Sequence, residues 1–444
     1  MLIVLLIIAI AFIVLSTTKL KLHPFLALII AAIGFGLLSG MPLCDIIKSV
    51  NNGFGNTVGS IGIVIVVGCI IGTFLEESGG AYVMARSVLK LVGEKRVPLA
   101  MLLLGYFISI PVYADSGFVI LTPLNKALTK KAKISFASTA IALSLGLTIT
   151  HCLVPPTPGP IAAAGIMEAD LGLVIMTGVM ASIFAVIAAY FFVTRCAKRY
   201  QIEQGADENE NDIAEKLKEA PSSTKSFLPV VIPLLLIVLK SVSDLPSAPF
   251  GSGLFKTIMG FIGEPVMALL FGLAIAIFLP KKLERDMLST TGWVGKAMVS
   301  AAIIIMITAA GGSFGMILRD AGIADVLGDS LANFKFGIWL PFLIAAALKS
   351  AQGSSTVAII TTASIIAPLM GTLGFVTPFE VALAVTALCS GAMVVSHVND
   401  SFFWVVTQMS KMSIKMGYKL HTLGTLLCGL ASMIGVWAIY TIFC

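Results

Sequence analysis

The chain has 444 residues, of which 58% are hydrophobic and only 12% charged, with a formal net charge of +6. Soluble domains carry roughly 25% charged residues, and the apolar runs here repeatedly reach the roughly 20 residues that cross a bilayer. A soluble multidomain protein is therefore excluded. The positive charge reads as loop charge that sets orientation, and no basic run with interleaved aromatics is present, which excludes nucleic acid as a partner.

In chain order, predicted spans cover 1–17, 22–40, 58–75, 97–112, 134–153, 171–194, 227–242, 258–279, 297–318, 336–348, 378–395 and 420–443. The fold class is an all-α polytopic membrane protein of about 12 transmembrane spans in the lipid bilayer. Two briefer apolar pieces, 118–124 and 357–370, are expected as arms of re-entrant hairpins. No positive segment precedes the first apolar run, and Lys19 and Lys21 follow it. A cleaved signal peptide is not expected, and those lysines place the N-terminus outside.

The polar stretch 200–226, rich in Glu, Asp, Asn and Lys and flanked by Arg195, Lys198 and Arg199, reads as a cytoplasmic linker. It separates a first repeat, 22–199, from a second, 227–444, with 1–21 as an N-terminal span and first cytoplasmic turn. Lys411, Lys415 and Lys419 fall inside, so the C-terminus is expected outside a multi-pass cytoplasmic (inner) membrane protein. The seven cysteines show no CxxC or Cys/His spacing and read as small packing side chains, with no metal and no cofactor.

Each half carries a polar break in an apolar run, followed by a histidine at the end of another. Tyr113-Ala-Asp115-Ser116-Gly117 precedes Thr150-His151 in the first; Gln352-Gly353-Ser354-Ser355-Thr356 precedes Ser396-His397 in the second. Phe74 to Ala81 resembles Ile317 to Ala324, and the intervals from Gly79 to His151 and Gly322 to His397 are 72 and 75 residues. Lys126, Lys130, Lys131 and Lys133 follow the first break, whereas 371–378 has no lysine or arginine. Equivalent loops then lie on opposite sides, as two inverted-topology repeats require, and paired interruptions of this kind point to a transport site.

A carboxylate at membrane depth costs roughly 2.5–3.5 kcal/mol on insertion scales. Asp115 therefore reads as a proton or cation site or an acceptor for substrate hydroxyls, and otherwise as a helix N-cap, with Ser116 and Gly117 beside it. Gln352, Gly353, Ser354, Ser355 and Thr356 offer amide and hydroxyl donors without formal charge, which suits a carboxylate. Lys349, three residues earlier, has the charge to neutralise an anion, but a lysine near a helix end is expected to snorkel to the interface. His151 adjoins a helix break forced by Pro155, Pro156, Pro158 and Pro160, where freed carbonyls need a protein or water-filled surrounding. His397, Asn399 and Asp400 form the densest polar cluster in an apolar region, able to relay a proton or to cap a broken span. Glu264 reads as a loop carboxylate.

No P-loop and no H-E-x-x-H zinc signature is present, so ATP drive and zinc catalysis drop out. The competing readings are a sodium-coupled organic-acid transporter or cation/proton exchanger, and an intramembrane aspartyl protease using Asp115 and Asp400.

Asp115-Ser-Gly-Phe-Val-Ile-Leu-x-Pro123, Thr150-His151-x-x-x-Pro155-Pro156-x-Pro158-Gly159-Pro160, Ala351-Gln352-Gly353-Ser354-x-Thr356-Val357-Ala358 and Ser396-His397-Val398-Asn399-Asp400-Ser-x-x-Trp404 resemble the gluconate permease family of proton-coupled sugar-acid symporters. The likeness extends to Lys-Leu-His23-Pro24-Phe25 and Gly40-Met-Pro42. It implies inward symport of gluconate or a related small hydroxy-carboxylate with protons, by a homodimer with an elevator-type mechanism on a scaffold akin to the ion-transporter superfamily. Family members often have glutamate at the position of Asp115 and histidine at that of Thr157, two positions that the resemblance places at the pocket. Both departures leave glycerate, four-carbon sugar acids, hexonates, uronates and D-serine-like substrates open beside gluconate.

Overall fold

The computed structural model describes residues 2–92, 96–110, 112–202, 220–244, 253–323, 337–397 and 400–444. Among these, all regular secondary structure is helical. Residues 203–219 of the expected linker lie outside the described residues; the chain is helical again from Ser223.

The first half opens with α1 (Leu2–Thr18) and α2 (Pro24–Leu38), the latter started by Pro24 and by His23 Nδ1, which accepts from the Phe25 N–H at 3.3 Å. Next, α3 (Leu43–Glu77) runs for 35 residues and bends by 45° at Ser60–Gly62. It stops at Ser78, where Gly79 takes φ +76, the left-handed conformation that a side chain would strain. There follow α4 (Gly80–Val92), α5 (Val97–Ile108), α6 (Ala114–Ala132), α7 (Phe136–Leu153), α8 (Pro158–Ile166) and α9 (Leu171–Arg195).

The second half contains α10 (Ser223–Ser243), α11 (Leu254–Ile262), α12 (Pro265–Ala276), α13 (Trp293–Asp320), α14 (Trp339–Gln352), α15 (Ser355–Ile366), α16 (Pro378–Gly391) and α17 (Ser401–Met409). A short α18 (Ile414–Gly417) then passes through a π-helical turn, Tyr418–Thr422, into α19 (Leu423–Phe443). Gly322, after α13, takes φ +73, matching Gly79 after α3.

Five helical stretches among the described residues are long and apolar enough to cross a membrane, or seven with two bent pairs counted as spans. Several predicted spans therefore differ. The run 97–112 contains a helix of 12 residues, α5, and 336–348 contributes to one of 14, α14. At 1.5 Å per residue these reach about 18 and 21 Å, short of a roughly 30 Å hydrocarbon core. Each turns at a break and is followed by a partner helix, α6 or α15. Hydropathy does not separate an arm from a span, because both are apolar; the break ends the helix. In turn, α6 extends to Ala132 through a polar end that hydropathy excluded from 118–124. The run 258–279 is split by Gly263 and Glu264 into α11 and α12, bent by 67°.

The core centres on α7, all of whose residues are buried except His151, which is half-buried. Around it, α5 and α9 pack closely, and α6 lies along it from Thr139 to Leu147. Gly105 and Gly146 let α5 and α7 meet at backbone distance: a Cβ on Gly146 would reach the Tyr106 nitrogen at 2.9 Å. Likewise α3 lies along α13, where a Cβ on Gly53 would reach the Gly312 carbonyl carbon at 2.8 Å. Ile183, Ile187 and Phe191 on α9, and Ile434 and Trp437 on α19, are exposed at helical spacing, as lipid-facing surfaces require.

Gly146→Val is expected to destabilise the protein by about 1–3 kcal/mol through overpacking, seen as a lower melting temperature in detergent. Gly34→Val, with nothing near its added Cβ, serves as the control and should leave it nearly unchanged.

Candidate functional site

Helix breaks meet at one cavity of about 250 Å³. It is smaller than the roughly 300–1,000 Å³ of sites for drug-sized ligands, and so suits a small solute. Tyr113, Ala114 and Asp115 reach it from the start of α6, Thr148 and His151 from the end of α7, and Ser354, Ser355 and Thr356 from the start of α15. The break between α16 and α17 adds Ser396, Asp400 and Ser401. Ile303, Ile304 and Ile307 of α13 form an apolar wall. Three helix N-termini thus border the cavity, each with free N–H groups and the positive end of its dipole.

Lys349 overturns its expected snorkelling. It is only 1% exposed, its Nζ lies 2.6 Å from Asp400 Oδ2, and it also donates to the Gly353 carbonyl. Gly353 takes φ +89 as α14 ends, which turns that carbonyl toward the ammonium. The Ser396 hydroxyl donates to the same Asp400 oxygen at 2.5 Å, while Oδ1 accepts the Phe402 N–H at 3.1 Å. Asp400 is consequently both the N-cap of α17 and half of a buried ion pair. Its partner is a lysine, not the second carboxylate that protease chemistry needs.

Asp115 does not cap α6; Tyr113 holds that position, with no side-chain capping bond. Its carboxylate stands in the first turn, exposed to the cavity, and has no ion-pair partner among the described residues. Ser354 caps α15, accepting the Val357 N–H at 3.3 Å. Gln352 closes α14, but its side chain, like Asn399, lies outside the described residues.

Other predicted positions lie apart from the cavity. Gly117 is buried, and an added Cβ would reach Leu147 at 2.7 Å; Ser116, half-buried beside it, is not in the lining. Thr157 donates to the Val154 carbonyl at 2.7 Å and borders a smaller cavity with Pro156, Tyr113 and His151, so His151 faces both spaces. Pro155 and Pro156 border an apolar crevice with Pro233 of α10. His397 points away: its Nε2 meets the Ser350 carbonyl at 2.9 Å, and its ring stacks on Tyr418 with centroids 6.3 Å apart. Glu264 lies 3.6 Å from Lys240 at an exposed helix junction, in keeping with a loop carboxylate.

His421 escaped the sequence reading. It is fully buried and contacts Ser396 Oγ at 3.0 Å and Ser144 Oγ at 3.2 Å. The available signal was an ionisable residue inside a predicted span, hidden by its neighbour Lys419, which marks a helix end. Among the described residues no group of three His, Cys, Asp or Glu could hold a metal ion.

The model of GntP family permeases matches residues 1–442. The chain belongs to the GntP permease family. A gluconate permease of Pseudomonas aeruginosa is 34% identical over 422 residues, covering 91% of this chain and 90% of that one. An uncharacterized permease of Haemophilus influenzae is 36% identical over 421 residues, covering 91% and 85%. The solved structure of Neisseria gonorrhoeae MtrF, an antimetabolite efflux pump, superposes with a TM-score of 0.69 over 96% of each chain at 14% identity, a likeness of fold alone. This GntP permease is thus a membrane transporter and not an enzyme, which sets the protease reading aside.

Removing one partner of a buried ion pair costs about 3–5 kcal/mol, because the other charge is stranded. Lys349→Met should therefore sharply lower the melting temperature of the purified permease. Lys349→Met combined with Asp400→Asn should recover a substantial part of that loss; a double variant as unstable as the single would refute the pairing.

Proposed function

We propose that this permease carries a small hydroxy-carboxylate into the cell together with protons. The observation that carries the proposal is the charge inventory of the cavity. Lys349 is committed to Asp400, leaving Asp115 as an unpaired carboxylate among the described residues. A substrate carboxylate brings a second negative charge into the same low-dielectric space, where like charges disfavour one another. A proton on Asp115 removes that repulsion and converts an acceptor into a donor for the substrate. Substrate and proton then strengthen each other's binding, and such linkage is reciprocal.

The hydroxyls of Ser355, Thr356 and Ser401 and the N–H groups at the starts of α15 and α17 suit the carboxylate. Gln352 and Asn399 are assigned to the substrate hydroxyls from their places in the sequence. His151, which lines the same cavity as Asp115, is a second proton-accepting group, whereas Asp400 stays with Lys349. Gluconate leads the substrate list because a relative transports it by name, with other aldonates and glycerate beside it.

We further propose two inverted repeats, 22–199 and 227–444, in a homodimer of the cytoplasmic membrane working by an elevator-type movement. The Gly79 and Gly322 turns, the two helical pairs and the two broken helices recur in the same order, and the lysine pattern supports opposite orientations, with both termini outside. An inner membrane permease of Escherichia coli, 33% identical, supports that location.

Purified permease in proteoliposomes should accumulate labelled gluconate or glycerate when the outside is made acidic, and should equilibrate it without a gradient. Uptake driven only by sodium would replace the proton by a sodium ion; no accumulation of any small hydroxy acid would remove the proposal. Asp115→Asn should lower gradient-driven accumulation by at least about tenfold, the factor carried by 1.4 kcal/mol. Accumulation at the original level would take Asp115 out of the coupling role.

A further inference from the structure

The last helix holds the broken segment before α17 in an unusual way. Its π-helical turn, Tyr418–Thr422, widens the helix, and π-turns of this kind are frequent at functional sites. From this turn and the start of α19, three side chains reach one residue, Ser396. Thr422 donates its hydroxyl to the Ser396 carbonyl at 2.5 Å, Thr425 accepts the Ser396 N–H at 3.1 Å, and His421 Nε2 lies 3.0 Å from the Ser396 hydroxyl. Tyr418 stacks on His397, the next residue. The segment is gripped through its backbone and its side chains together.

The hydroxyl of Ser396 has one proton and two neighbours. Asp400 Oδ2 lies 2.5 Å away and His421 Nε2 lies 3.0 Å away. As an ionised partner of Lys349, Asp400 can only accept, so it requires the serine proton. A bare Nε2 on His421 would compete for that proton; an Nε2–H instead donates to the serine oxygen and commits the hydroxyl to Asp400. The other ring nitrogen, Nδ1, lies 3.2 Å from the hydroxyl of Ser144 on α7, which can turn its proton to that nitrogen or to the Ile141 carbonyl at 3.0 Å. The bonds then run in one direction, from His421 through Ser396 to Asp400, where the Lys349 ammonium also donates.

We propose that His421 is a positioning residue of the transport site: by donating from Nε2 to Ser396 it directs the serine proton to Asp400 and fixes the Lys349–Asp400 pair at the cavity wall. It touches no substrate. Its action passes through two intervening groups, and it keeps the cavity's only described lysine aligned with Asp400 and away from the solute. The inference deepens the transport reading and rests on it for its functional arm.

Two measurements test it. In proteoliposomes, His421→Leu and Ser396→Ala should each raise the KM for the transported acid about tenfold, the loss typical of one hydrogen bond to a charged group, with Vmax per folded protein much less affected. The double variant should be no worse than either single one. His421→Gln, which keeps an N–H donor, should restore most of the KM. Losses that multiply in the double variant, or a glutamine variant as impaired as leucine, would overturn the proposal.

The second measurement needs no transport. In ¹⁵N-histidine spectra of the full-length permease, the signal missing in His421→Gln should report a neutral ring with its proton on Nε2. A proton on Nδ1 would overturn the assignment even if the leucine variant fails to fold. Should the wild-type protein transport no hydroxy acid, the functional reading fails while the tautomer still decides the positioning role.

Discussion

A lysine and an aspartate buried against each other at the meeting of two chain breaks organise the centre of this permease. Neither charge could remain there alone, since several kcal/mol of desolvation for each ion is offset only when geometry and hydrogen bonding are good. Lys349 reaches forward over the end of its own helix to the Gly353 carbonyl, and Asp400 caps the start of the next broken helix. One contact therefore satisfies a helix C-terminus, a helix N-terminus and two charges. It also ties the tip formed by α14 and α15 to the break between α16 and α17, so the polar groups around the cavity share one frame.

That pairing gives the two aspartates different chemistry. Asp400, with a lysine, a hydroxyl and a backbone N–H on its oxygens, has little room for a ligand. Asp115 sits in the first turn of α6 with its carboxylate open to the cavity. A helix start favours its negative charge, and low dielectric surroundings oppose it. A group held between those tendencies responds readily to a neighbouring anion, which is the property a coupling residue needs.

Much of this arrangement was legible in the sequence because its physics is local. Proline runs and a Gly-Ser-Ser-Thr tract cannot continue a helix whatever surrounds them, and Asp115 in an apolar run declares its own cost. The breaks at 113, 154–157, 353 and after Gly391 accordingly fall close to where the chain chemistry places them. Pairings between distant residues were not legible. Lys349 has the composition of a snorkelling lysine, and only the fold brings Asp400, 51 positions later, to its ammonium. His397 was misleading, and His421 passed over, for a related reason: an ionisable residue in an apolar run advertises a polar environment without saying which wall supplies it. His397 found a carbonyl and a tyrosine ring, and the site network took His421. Span counting was limited in a different way, since hydropathy measures how oily a helix is and not where its backbone turns.

The three isoleucines that α13 contributes to the cavity have a mechanical meaning. Every other wall offers directional bonds, which hold a solute and its surroundings in register. Ile303, Ile304 and Ile307 offer only dispersion and exclusion of water. A boundary of that kind has no preferred notch along its length, so displacement past it breaks no hydrogen bond and exposes no unpaired donor. In terms of friction, the isoleucine face of α13 is the smooth side of the cavity, and the polar helix starts are its gripping side.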